Sequence, residues 1–126
     1  MMQLYEPKVK EEIEQVITVF QEYIKTTPHF DVLWSDKVGY MYLTVDVNRR
    51  TVADSDSWVI LNGEELFDKL AFEIAIDMLE EGGHTCDPRE ASKLERDAVE
   101  KHLKQYTHQL PKLENRIPLI FTKNGA

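Results

Sequence analysis

The sequence predicts one α+β domain in which an antiparallel meander of three or four strands packs against a central helix. Three observations support this prediction. The apolar spacing changes from a helical period to a period of two and back. The stretch 62–83 is apolar around most of a helical circumference, and turn or cap residues separate the segments. The expected order is α-β-β-β-α-α with an extended arm at the C-terminus.

The composition is that of an ordinary folded protein, with 126 residues, of which 42% are hydrophobic and 30% charged. We expect residues 1–126 to form a single domain whose last residues, 122–126, are frayed. Cys86 is the only cysteine, which suits a reducing cytoplasm. The first residues lack the apolar segment of a secretory signal, and no apolar run reaches the roughly 20 residues that span a bilayer. We therefore expect a cytoplasmic protein with no membrane partner.

The first helix is expected to begin at Pro7, where a missing N–H is harmless, and to end before Pro28. Its apolar residues recur every three or four positions, which predicts one continuous helix with one buried face. These residues are Val9, Ile13, Val16, Ile17, Phe20, Tyr23 and Ile24.

The sheet is expected between residues 29 and 61, where the period is two. The first strand should lie in HFDVLWS and end at a turn at Ser35-Asp36-Lys37. The second strand should cover 38–47, and after an Asn48-Arg49 turn the chain should return antiparallel over 50–54. Residues 58–61 then lead into the central helix. The apolar face of the longest strand should pack against that helix; it consists of Met41, Leu43, Val45 and Val47.

The opposite face of that strand carries Tyr40, Tyr42 and Thr44. Aromatic side chains on an open sheet face can stack on bases or hold a peptide, so Tyr40 and Tyr42 are candidate interaction residues. The commoner arrangement, which we favour, is a sheet face covered by a helix.

The central helix should begin at Asn62, a favourable N-cap, and end at Gly82-Gly83. One broad face is apolar, and Phe72 and Ile76 add a second stripe. A helix so widely apolar needs cover on two sides, which makes Phe72 and Ile76 candidate interaction residues and favours a homodimer. The broad face consists of Leu66, Phe67, Leu70, Ala71, Ile74, Ala75, Met78 and Leu79.

The third helix should begin at Asp87-Pro88-Arg89-Glu90, which reads as an N-cap acid, a proline at N1 and a glutamate at N3. It is expected to run to about Tyr106. Its apolar side should contain Ala91, Leu94, Ala98, Val99, Leu103 and Tyr106. After Pro111 the period is lost, and the short apolar run 117–121 with Pro118 predicts an edge strand or an extended arm.

The loop between the last two helices holds His84, Cys86 and Asp87, which are metal-ligand residue types. Zinc patterns need a second pair of ligands, which the sequence lacks, and Asp87 is already explained as a cap. We therefore favour a polar loop and expect no metal and no cofactor.

A weak candidate for catalysis is a polar row on the third helix, formed by Glu95, His102 and Tyr106. These residues fall on one side of a helical wheel, where a carboxylate, an imidazole and a phenol could transfer a proton. The favoured alternative is that His102 and Tyr106 are half-buried and that Glu95 reaches solvent near the helix start.

The net charge of −8 disfavours binding to nucleic acid, since a phosphate backbone needs a basic surface. Basic residues of the third helix, such as Arg96, are matched by acids four positions away, which predicts a salt-bridged solvent face. No phosphate-binding glycine loop, G-x-S-x-G or H-E-x-x-H motif occurs.

Three functions remain open. The first is a non-enzymatic interaction or regulatory protein that acts as a homodimer. The second is a small-molecule-binding or enzymatic domain that uses Glu95, His102 and Tyr106. The third is an acidic mimic of nucleic acid that binds a basic protein through the seven acids between Glu64 and Glu81.

Overall fold

A computed structural model describes residues 4–28, 30–45, 55–83, 85 and 87–122. The described elements are helices α1 (Pro7–Val19) and α2 (Gln21–Thr26), strands β1 (Phe30–Ser35), β2 (Gly39–Val45) and β3 (Ser55–Val59), helices α3 (Gly63–Gly82) and α4 (Lys93–Thr107), and two 3-10 helices (Pro88–Glu90 and Pro111–Phe121). The predicted α+β class and the order of its elements are confirmed. The chain forms two compact units, Met1–Leu66 and Phe67–Ala126, which we call the N-terminal and C-terminal units.

The three strands form an antiparallel meander in the order β1-β2-β3, as predicted. The predicted turn is confirmed: the Oγ of Ser35 accepts the N–H of Lys37 at 3.2 Å. However, Val38 lies in this turn, and the strand begins one residue later at Gly39, whose φ of +89° suits glycine alone. The predicted Asn48-Arg49 turn and the 50–54 strand lie outside the described residues, as does Val47.

The first helix is not continuous, contrary to the prediction. It is interrupted at Phe20, where φ is −96° and ψ is 9°. The hydroxyl of Thr18 donates to the carbonyl of Glu14 at 2.9 Å, a contact that competes with the helical hydrogen bonds and bends helices. The apolar spacing continues through the interruption, and Phe20 is fully buried, so periodicity alone does not reveal it.

The tyrosine face of the sheet is covered by α1, as favoured from the sequence. The hydroxyl of Tyr40 donates to Oε2 of Glu14 at 2.6 Å, and Nζ of Lys10 lies 5.1 Å above the Trp34 ring. Tyr42 and Phe30 are buried and stack with their ring centroids 5.4 Å apart. The core of the N-terminal unit therefore includes this aromatic face, whereas Met41 and Leu43 on the opposite face are half-buried.

Helix α3 has the predicted ends. Oδ1 of Asn62 accepts the N–H of Glu65 at 2.8 Å, which satisfies one of the free donors of the first turn. At the other end Gly83 has a φ of +75°, and its N–H donates to the carbonyl of Leu79 at 3.1 Å. The predicted broad apolar face is buried except for Met78, which is half-buried.

The third helix begins later than predicted. Asp87 caps only the short 3-10 helix Pro88–Glu90, and Ala91 is extended. Helix α4 starts after Ser92, whose Oγ accepts the N–H of Glu95 at 3.2 Å, while Oε1 of Glu95 accepts the N–H of Ser92 at 2.9 Å. This reciprocal pair is a capping box in Ser-Lys-Leu-Glu, a signal present in the sequence that the prediction missed.

The later start changes which side chains α4 buries. Val99 and Leu103 are buried as expected, but Leu94 is 81% exposed and Ala98 is also exposed, contrary to the prediction. Leu94 is the second residue of α4, so its direction depends on where the helix starts.

The predicted extended arm is instead the 3-10 helix Pro111–Phe121. Ile117 and Ile120 are buried and lie three residues apart, which places them on one side of a helix with three residues per turn. Arg116 holds this segment to α3 within the C-terminal unit: its Nε and Nη2 donate to Oδ1 and Oδ2 of Asp68 at 2.8 and 2.6 Å. The expected edge strand or extended arm is therefore wrong, because the buried residues follow a period of three and not an extended pattern.

Candidate interaction surface

The outer strand β3 carries a concentration of exposed apolar side chains. Trp58 is 54% exposed, Val59 40% and Leu61, which follows the strand, 64%. We call these three residues the β3 surface. Trp58 is the cross-strand neighbour of Tyr42 and Val59 that of Met41, so their side chains lie on opposite faces of the sheet. Exposed apolar side chains on both faces mark this outer edge as a candidate interaction site.

The β3 surface lies in a stretch without charge. The residues from Ser57 to Gly63, SWVILNG, contain no acid and no base, although 30% of the chain is charged. Asp56 and Glu64 bound the stretch on its two sides. Such a surface offers a partner apolar contact without opposing charges.

An apolar row crosses the sheet and ends at Val59. The strand register places Leu33 beside Met41, and Met41 beside Val59. Side chains that are direct neighbours across strands lie on the same face, so these three form one row on the face opposite Tyr42. Leu33 is 50% exposed, which makes the row accessible from both of its ends.

The hydrogen-bond pattern shows which backbone groups point out of the sheet. The N–H of Ile60 donates to the carbonyl of Tyr40 at 2.9 Å, so the backbone polar groups of Tyr40 and Tyr42 face β3. Those of Met41 face β1 in consequence. On the two outer strands, Val32 and Ser57 therefore direct their N–H and C=O groups away from the sheet.

The two edges of the sheet differ. On β1, Oδ1 of Asp31 accepts the outward N–H of Val32 at 2.8 Å, so an incoming strand meets both an occupied donor and a negative charge. On β3, no hydrogen bond to the outward groups of Ser57 or Val59 is found in the described part of the chain. The β3 strand has neither the lysine nor the proline that commonly protects an edge strand, but it contains one acid, Asp56.

Tyr5 limits how far the β2–β3 pairing extends. Its hydroxyl accepts the N–H of Tyr40 at 2.9 Å and donates to the carbonyl of Ile60 at 2.6 Å. The hydroxyl thus lies between the N–H of Tyr40 and the carbonyl of Ile60, which would otherwise bond to each other directly. The other hydrogen bond of this pair, from the N–H of Ile60 to the carbonyl of Tyr40, is present. A Cβ at Gly39 would lie 2.6 Å from the Tyr5 ring, so glycine is required there. Nothing in the sequence around Tyr5 signals this role.

The sequence-predicted interaction residues lie in different environments. Tyr42 is buried, so it does not contribute to an exposed aromatic platform, and Tyr40 is half-buried with its hydroxyl bound to Glu14. Phe72 is 38% exposed on α3, and Ile76 is half-buried. The second apolar stripe of α3 is therefore accessible at Phe72.

The polar row predicted on the third helix is only partly formed. The rings of His102 and Tyr106 meet edge to face with centroids 5.8 Å apart, and the amide of Gln105 lies 3.2 Å from a ring nitrogen of the exposed His102. Burial raises the pKa of the Tyr106 phenol. Glu95, however, belongs to the capping box with Ser92. The hypothesis that Glu95, His102 and Tyr106 form an enzymatic site stays a prediction, and the Glu95 carboxylate caps the start of α4.

The loop candidate for metal binding falls largely outside the described residues, since His84 and Cys86 are not among them. Asp87 is described, and a bidentate contact with Arg89 at 3.1 Å lowers the pKa of its carboxyl group. Within the described ranges, no three His, Cys, Asp or Glu side chains gather as metal ligands would.

The charged side chains of the two long helices are partly paired. Asp68, one of the acids of the proposed nucleic-acid mimic, is bound to Arg116, which reduces the free negative charge there. On α4, Nε of Arg96 donates to Oε1 of Glu100 at 3.0 Å, which confirms one of the predicted pairs four residues apart. Arg96 also lies over the Phe121 ring, 5.0 Å from its centroid.

Comparisons of the chain with protein-family models, curated proteins and solved structures find no match. None of the helices in the described part of the chain combines the length and the apolar character that crossing a bilayer requires. The exposed apolar residues of the β3 surface are the feature that bears most directly on function.

Proposed function

We propose that the protein is a non-enzymatic interaction protein of the cytoplasm that acts as a homodimer. The observation that carries the proposal is the β3 surface: Val59 is exposed on the face opposite Tyr42, Trp58 is exposed on the other face, and Leu61 is exposed just after the strand. Covering these side chains removes apolar area from water, which is the main driving force of protein association.

A second copy of the chain is a suitable partner on grounds of charge. With a net charge of −8, two copies repel each other wherever acidic surfaces meet. The uncharged stretch from Ser57 to Gly63 is a place where they can approach without placing acids against acids. A basic partner, by contrast, would gain most from an acidic surface.

The proposal is tested by the oligomeric state of the whole chain, measured by light scattering after size exclusion at micromolar concentration. The wild-type protein is expected to be a dimer. Leu61→Glu introduces a charge into the β3 surface and should give a monomer. Because Leu61 follows the strand and makes no ladder hydrogen bond in the described part, the variant should keep its fold.

Leu94→Glu is the matched control, since it makes the same change at a leucine of α4 that is 81% exposed. It should leave the dimer intact. A wild-type monomer, or equal effects of the two variants, would contradict the proposal.

A further inference from the structure

The open edge of β3 indicates how two copies meet, an inference that rests on the proposed homodimer. We infer that β3 pairs with β3 of a second copy in an antiparallel arrangement, which joins the two three-stranded sheets into one six-stranded sheet. The partner is thus a second copy of this chain, recognised through backbone hydrogen bonds and adjacent apolar side chains.

The two edges of the sheet differ at their outward backbone groups. Asp31 occupies the outward N–H of Val32 on β1 at 2.8 Å, whereas the outward groups of Ser57 and Val59 on β3 make no hydrogen bond in the described residues. An edge strand with open donors and acceptors is a template for another strand. Among the described residues, the β3 edge meets this condition at Ser57 and Val59, whereas the β1 edge meets it at Trp34 but not at Val32.

The strand β3 can pair with itself about its central residue. Ser57 is the central residue of Ser55–Val59, and its backbone groups point outward. A two-fold axis beside Ser57 pairs Ser57 with its copy, Ser55 with Val59, and Asp56 with Trp58. In this register Asp56 is paired with Trp58 and not with Asp56 of the second copy, so the one charged position of the strand is not opposite itself.

The same register brings a second copy beside the exposed side chains of β3. Trp58 and Val59 are 54% and 40% exposed in the single chain, and both become direct cross-strand neighbours of the second copy in this register. The pairing therefore satisfies the open backbone groups and reduces the exposure of Trp58 and Val59 at the same time.

The backbone contribution is tested with Ser57→Pro and its control Ser57→Ala. Both substitutions remove the hydroxyl, but only proline removes the outward N–H, and that N–H makes no bond to β2. Ser57→Pro should raise the dimer dissociation constant about tenfold or more, whereas Ser57→Ala should leave it near the wild-type value. Circular dichroism and thermal unfolding establish that both variants fold.

The register is tested by reversing charge at the same exposed position, which also covers the case in which the proline variant does not fold. Ser57→Lys and Ser57→Glu should each dimerise weakly, because like charges then lie directly opposite across the axis. An equimolar mixture should form the heterodimer, detected by native mass spectrometry.

The outcomes separate this inference from the proposed function. A monomeric wild-type protein overturns both. A wild-type dimer that Leu61→Glu dissociates, but that Ser57→Pro, Ser57→Lys and Ser57→Glu leave unchanged, overturns only the β3 pairing. A mixture of the lysine and glutamate variants without enrichment of the heterodimer overturns the register centred on Ser57.

Discussion

At the scale of single residues, Tyr5 joins the N-terminal segment to the end of the β2–β3 ladder. Its hydroxyl is both acceptor for the N–H of Tyr40 and donor to the carbonyl of Ile60. Tyr5→Phe leaves both backbone groups without this partner in a half-buried place. We expect a loss of about 1–3 kcal/mol in the free energy of unfolding. Urea denaturation measures this loss, and faster hydrogen exchange at the Tyr40 amide should accompany it.

Tyr40→Phe is the matched control, because it also removes one phenolic hydroxyl. That hydroxyl bonds only to the exposed Glu14 side chain, so its loss should be smaller, about 0.5–1.5 kcal/mol. Equal losses from the two variants, or an unchanged exchange rate at the Tyr40 amide, would mean that the Tyr5 hydroxyl is not part of the ladder.

Tyr40 also predicts how stability depends on alkaline pH. Burial and the hydrogen bond to Glu14 raise the pKa of Tyr40 from 10.0 to about 12. Between these two values the unfolded chain loses the phenolic proton while the folded chain retains it, so unfolding is favoured as pH rises. The contribution is fully present below pH 10 and is lost by about pH 12. The pKa values of Tyr5 and Tyr106 are also raised, mainly by burial, and act in the same direction.

The measurement is the free energy of unfolding in urea at a series of pH values from neutral to alkaline. Wild-type stability should be flat up to about pH 10 and then fall, and Tyr40→Phe should fall less steeply. The same steepness in both proteins would show that Tyr40 ionises alike in the folded and unfolded chain.

At the scale of the elements, the start of α4 shows how two similar signals can have different outcomes. Asp87-Pro-Arg-Glu and Ser92-Lys-Leu-Glu both read as capping boxes, and they lie five residues apart. Only Ser92 forms both reciprocal bonds with the glutamate three residues later, whereas Asp87 is bound by Arg89 over a single 3-10 turn. Reading the second box as well as the first would have given the correct helix start.

Ser92→Ala should therefore lower the free energy of unfolding by about 0.5–2 kcal/mol, the usual effect of removing an N-cap. Asp87→Ala should cost less, because its contacts with Arg89 are exposed and cap only three residues. Thermal and urea unfolding of both variants measure the difference. If the aspartate variant were the less stable of the two, the helix would depend on the earlier cap.

The elements that could be predicted are those with local chemical signals. Pro7, Asn62 and Gly83 mark helix ends through their own backbone or side-chain properties, and the structure confirms each. The interruption at Phe20 and the C-terminal 3-10 helix have no such local signal in the sequence. An apolar pattern of period 3.6 reports neither.

The candidate site was less accessible from the sequence, because it depends on strand register. The sequence showed that Met41 and Tyr42 lie on opposite faces, but not that Val59 pairs with Met41 on an outer strand. Nor does a strand pattern state which edge is protected, since the bond from Val32 to Asp31 is visible only in the folded sheet. The wide apolar surface of α3 instead led to the prediction that Phe72 is an interaction residue.

At the scale of the whole molecule, the net charge of −8 opposes the association of two copies, while the stretch from Ser57 to Gly63 is uncharged. Added salt screens the repulsion between the copies and leaves the apolar contact and the backbone hydrogen bonds largely unaffected. The dimer should therefore become tighter as salt rises, for example from about 20 mM to about 500 mM, over which the Debye length falls from roughly 20 Å to about 4 Å. Sedimentation equilibrium of the wild-type protein measures the dissociation constant at both concentrations, and Leu61→Glu should remain monomeric at each.

Binding of an acidic mimic to a basic partner has the opposite dependence, because screening removes its attraction. A wild-type dimer that weakens with salt would show that charge attraction holds it together, which the pairing of two β3 strands, whose one charged residue is Asp56, cannot supply.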